Sequence, residues 1–125
     1  MRTHLSSEPS RAEVEARDGW QLLEFGAPWC GHCQAAQPAL QEVVEAHDLA
    51  HWKIEDGKGR ALGRSFQVKL WPTVILLHDG REVARVVRPR VRADLAALEG
   101  ALPDWGHAAP GTAAALQHAM HGHWC

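Results

Sequence analysis

A chain of 125 residues, 46% hydrophobic and 22% charged, has material for one domain with a real core and too little for two ordinary ones. A net charge of -2 with no dense Lys/Arg run excludes an extended nucleic-acid face, and no stretch is long and apolar enough to span a membrane. Three cysteines do not make a disulfide framework: two lie close together, and the third, Cys125, is the last residue.

The first residues are polar, apart from a short strand-like stretch at Thr3 to Leu5. Ser10 caps a short helix, and Glu13 three residues on completes a capping box. Val14 is the main apolar residue of that helix, which is therefore expected to pack weakly. Asp18-Gly19 stops it. Trp20 to Phe25 is apolar apart from Gln21 and Glu24, the pattern of a strand covered on both faces. A helix follows from Cys30 to about His47, with Ala36, Leu40, Val43, Val44 and Ala46 on its apolar face and a kinking proline, Pro38, inside it. Ala50 to Glu55 is a short strand with Trp52 and Ile54 on one face.

Asp56-Gly57-Lys58-Gly59 reads as a loop and lacks the spacing of a phosphate-binding loop. Ala61 to Phe66 is a short helix. Thr73 to Leu77 is the most strand-like run of the chain, preceded by Trp71-Pro72. Asp79-Gly80 signals a hairpin, with Glu82 to Val87 returning. Arg90 to Leu102 is expected to be one last helix with Val91, Leu95, Leu98 and Leu102 on one face, ended by Pro103. This order predicts a three-layer α/β/α domain over residues 1–103, around a mixed sheet of four to five strands.

The chemistry concentrates in Trp29-Cys30-Gly31-His32-Cys33. Residues three apart on a helix are neighbours on one face, so Cys30 and Cys33 can close a disulfide with little rearrangement. A cysteine at a helix start also meets unpaired N–H donors and the positive end of the dipole, which favour its thiolate. The alternatives are half a zinc site, a structural disulfide, or chance spacing. The strand–loop–helix setting favours redox chemistry.

With the strand, the motif and the hairpin in this order, the chain resembles the thioredoxin fold family. The Cys-Gly-His-Cys form is similar to that of protein disulfide isomerase domains. The resemblance implies a thiol–disulfide oxidoreductase with no cofactor beyond a redox-active Cys30–Cys33 disulfide. It makes Pro72 a cis-proline facing that disulfide, Glu24 the buried acid, and Lys53 the lysine that pairs with the acid. Cys30 is then the attacking thiolate and Cys33 the resolving thiol, with Glu24 relaying its proton. His32 places partial positive charge beside Cys30. Trp29, Gly31, Trp71, Pro72, Thr73 and Arg88 line the substrate groove. Two of these depart from the family: Trp71 is bulky where aliphatic residues are usual, and Arg88 stands near the place of a groove glycine.

The implied partners are disulfide-containing protein substrates and a recycling system of the thioredoxin-reductase or glutathione kind, acting on a monomer. Met1 to Pro9 has no apolar core, so the expected setting is the cytoplasm, or the periplasm where a signal has been trimmed. Residues 104–125 form a His/Ala-rich tail in which Thr112 to Met120 is a candidate short helix. His118, His121 and Cys125 are donor types that suit zinc or copper but fall short of a full ligand set, so no metal is assigned. Competing readings are a disulfide oxidase or isomerase, favoured by His32, and a binding or metal-handling module.

Overall fold

A computed structural model of the chain describes residues 9–103. The Thr3–Leu5 strand and every expectation for the tail lie outside them. Among the described residues the order is α1 (Arg11–Glu15), β1 (Trp20–Gly26), α2 (Gly31–His47), β2 (Ala50–Glu55), α3 (Ala61–Ser65), β3 (Thr73–His78), β4 (Arg81–Val87), a 3-10 turn (Arg92–Leu95) and α4 (Ala96–Ala101). The four strands form one sheet in the order β2-β1-β3-β4. β1 and β2 are parallel, while β1/β3 and β3/β4 are antiparallel.

Strand alternation splits the core in two. One face carries Leu22, Val74 and Leu76 against Ala36, Leu40, Val43 and Val44 of α2, Leu95 of the 3-10 turn and Leu98 of α4. The other carries Leu23, Phe25, Ile54, Ile75 and Leu77 against Val14, Leu62 and Phe66. β1 is therefore buried on both sides, as its near-continuous apolar sequence requires.

The Ser10–Glu13 capping box forms in both directions. α1 is anchored more firmly than its single apolar residue implied. Val14 is fully buried, and Arg11 stacks over Phe66 while its guanidinium donates to the Ser65 carbonyl at 2.6 Å. Pro38 sits on the exposed side of α2, and the helix continues through it to His47. At the hairpin, Asp79 and Gly80 both take positive φ, 50° and 81°, the geometry of a tight two-residue turn.

The last helix differs from expectation. Asp94 Oδ2 accepts the backbone N–H groups of Arg90 at 2.9 Å and Val91 at 3.2 Å, so the helical turn starts only at Arg92. Its first turn is 3-10, and α4 proper covers Ala96–Ala101. Val91 stands outside the turn and is 58% exposed rather than packed with Leu95 and Leu98.

Candidate active site

β1 ends at Gly26, and the chain turns through Ala27, Pro28 and Trp29 into α2. The Cys30 N–H donates to the Ala27 carbonyl at 3.2 Å, and the Gln34 side chain donates to the Pro28 carbonyl at 3.0 Å. Cys30 is the N-cap of α2, and its sulfur accepts the Cys33 N–H at 3.3 Å. A donor thus stands where a Cys30 thiolate would carry its charge.

Both cysteines are free thiols, and they are unequal. Cys30 keeps 8% of its surface and Cys33 none. Burial first, and then the hydrogen bond with Cys30, push the Cys33 thiol up to about 12. Gly26 makes this burial possible, because a Cβ there would collide with Cys33 Sγ.

Glu24 is two residues before Gly26 on the same face of β1 and is fully buried. The β1/β2 register sets Lys53 opposite it. The structure adds two neighbours. Gln37 Nε2 donates to Glu24 Oε2 at 2.7 Å and to the Cys33 carbonyl at 2.8 Å. His51 Nε2 lies 2.8 Å from Glu24 Oε1. Both were within reach of pattern reasoning. Gln37 is one helical turn beyond Cys33, and His51 shares a strand face with Lys53.

The Trp71–Pro72 bond is cis. Trp71 packs against the Ala27, Cys30 and Cys33 cluster and makes an edge contact with Trp29, the ring centroids 5.3 Å apart. Its indole N–H donates to Asp56 Oδ2 at 2.9 Å. Asp56, another residue the sequence reading did not single out, lies so close to α3 that a Cβ at Gly63 would strike its carboxylate. Trp71, bulky for its position, is thus held from below while Trp29 remains 71% exposed.

Arg88 directly follows β4. It adopts φ 55°, donates its N–H to the Pro72 carbonyl at 2.8 Å, and donates Nε–H to the Trp71 carbonyl at 2.8 Å. The carbonyl before the cis-proline is therefore already engaged. Thr73 is buried, its hydroxyl donating to the Leu70 carbonyl at 2.6 Å. Gly31 and His32 open α2 on its exposed side. No group of three or more metal-binding side chains occurs among the described residues.

A model of the thioredoxin family matches residues 3–99. The structure of thioredoxin 2 from Pseudomonas aeruginosa PAO1 in its reduced form is similar at a TM-score of 0.71 and 54% identity, covering 79% of this chain and 94% of that one. Thioredoxin from Mycobacterium bovis is 38% identical over 76 residues, 59% of this chain and 66% of its own length, just under two thirds. A bifunctional thioredoxin reductase/thioredoxin of Mycobacterium leprae is 34% identical over 86 residues, 67% of this chain and 19% of its own. The chain belongs to the thioredoxin family.

Proposed function

We propose that the protein is a thiol–disulfide oxidoreductase that reduces disulfides in protein substrates through Cys30 and Cys33. The inequality of the two sulfurs carries this reading. One caps a helix and keeps 8% of its surface, and the other is a fully buried thiol near an acid. Membership of the family supports it.

The Cys30 thiolate attacks one sulfur of the substrate disulfide. The substrate S–S bond breaks, a Cys30–substrate mixed disulfide forms, and the leaving thiolate takes a proton from solvent. Cys33 then gives its proton toward Glu24 and attacks Cys30 Sγ. The mixed disulfide breaks, the Cys30–Cys33 disulfide forms, and the second substrate thiol departs. Two electrons have passed to the substrate. A dithiol of the reductase class, or two glutathione thiols that leave as glutathione disulfide, return them, and the fused reductase/thioredoxin relative supports the first. In a reducing compartment such as the cytoplasm the net direction is reduction.

Reduction of insulin by dithiothreitol, followed by turbidity, tests the reading. Wild type accelerates precipitation and Cys30→Ser does not. Equal rates for the two would refute it.

A further inference from the structure

The loops around the cysteines carry a charge opposite to that of the chain. β1 and β2 end where α2 begins, β3 starts there, and β4 returns there. Segments 27–30, 56–60, 66–72 and 88–91 therefore share one end of the sheet. They hold five cations, Lys58, Arg60, Lys69, Arg88 and Arg90, and one carboxylate, Asp56. The opposite end, segments 16–19, 48–49 and 79–80, holds Asp18, Asp48 and Asp79 against Arg17. The whole chain is at -2.

Trp71 lies among the segments that carry the five cations. Arg88 bonds its carbonyl, and Arg90 follows two residues on. Lys69 precedes it by two. Lys58 follows Gly57, which faces the indole ring, and the Arg60 N–H donates to the Gly57 carbonyl at 3.0 Å. Lys58, Lys69, Arg88 and Arg90 are exposed and Arg60 partly so. None forms a salt bridge among the described residues. Asp56 is engaged by the Trp71 indole, and Asp94, held on the backbone N–H groups of Arg90 and Val91, offsets part of one charge.

We propose that this end docks protein disulfides flanked by acidic side chains, which meet the cationic rim while the disulfide reaches Cys30 beside Trp71. The proposal rests on the redox reading above and names the substrate class of that site. Unpaired cations around an apolar contact attract and orient an acidic partner. Their effect is on encounter rate and choice of partner more than on contact area.

The test uses two peptides with the same disulfide, one flanked by Asp and Glu, the other by Lys. The fully reduced full-length protein is mixed with each, and single-turnover rates are followed by tryptophan fluorescence. The acidic peptide should react about tenfold faster or more at low ionic strength. The ratio should fall toward unity as salt rises from about 0.01 M to about 1 M, where the screening length shrinks from about 30 to about 3 Å. Combined Lys58→Glu, Lys69→Glu and Arg90→Glu should remove the preference. The wild-type salt series decides the matter even where that variant misfolds. Equal rates at low salt, or a preference that salt leaves unchanged, overturn the proposal and leave the redox reading intact. Reduction of neither peptide overturns both. Stronger competition by a single-stranded oligonucleotide than by an oligoglutamate peptide also overturns it, because the rim then serves nucleic acid.

Discussion

His51 Nε2 lies 2.8 Å from Glu24 Oε1, and the two side chains are 4% and 0% exposed. This contact joins the acid under the cysteines to the neighbouring strand. Lys53 of β2 and Cys33 of α2 face the same acid, while β3 presents only Val74 opposite it. His51→Leu takes away a partner of one carboxylate oxygen and should cost about 1–3 kcal/mol of stability, read by denaturant unfolding. It should also change the shape of the pH profile for resolution of a Cys30 mixed disulfide. His51→Gln keeps a donor and should restore stability without restoring the profile. A purely structural His51 would leave the profile of both variants unchanged.

The two thiols should separate under alkylation. Thiolate is the reactive form, and Cys33 is buried with its thiol pushed up to about 12. Iodoacetamide at neutral pH should therefore add once to the reduced domain, at Cys30, with mass spectrometry locating the adduct. A second adduct on Cys33 of similar rate would contradict the buried resolving thiol.

His32 is exposed on the first turn of α2, beside Cys30. Positive charge there stabilises the reduced form and raises the potential. His32→Pro should make the couple more reducing by on the order of 30 mV, a tenfold change in equilibrium constant, measured against glutathione. No shift would remove the histidine from the account of the potential.

Arg88 holds a left-handed conformation that costs a non-glycine residue about 1–2 kcal/mol, and its Nε–H bond to the Trp71 carbonyl offsets part of that. In Arg88→Gly both terms vanish, so stability should move by less than about 1 kcal/mol. KM for an acidic disulfide peptide should rise in the same variant. Thermal unfolding and steady-state kinetics on one preparation check both.

α4 is tied down by an acid-sensitive contact. Arg92 first, and then His47, hold the Glu99 carboxyl down to about 2 from 4.5. A depressed carboxylate stabilises the fold above its unfolded value and loses that contribution as pH falls from about 4.5 toward 2. Arg92 is 43% and Glu99 24% exposed, so solvent screening reduces the effect to about 1 kcal/mol. Glu99→Gln should be less stable than wild type at neutral pH, with the gap closing on acidification. Circular dichroism melts at several pH values follow it.

The parts legible in the sequence are those with local causes. The capping box, the Asp79-Gly80 turn, the double burial of β1 and the Cys30–Cys33 spacing are all short-range patterns. The residues missed act across elements. Gln37, His51 and Asp56 are ordinary polar residues in their own segments, and only the docking of α2, β2 and the Trp71 loop brings them to the site. The last helix failed for a related reason. Its apolar spacing continued through Val91, but Asp94 took the backbone donors of Arg90 and Val91 and set the start later.

Gln37 Nε2 has two hydrogens. One goes to the Cys33 carbonyl of the helix that carries both sulfurs, the other to the Glu24 carboxylate of the strand beneath. That single nitrogen therefore fixes how far the thiol helix stands from its acid. Exchanging it for an oxygen, as in Gln37→Glu, keeps the size and shape of the side chain. It would nonetheless set like-natured acceptors against each other on both sides, so the spacing between sulfur and acid depends on one atom that belongs to neither.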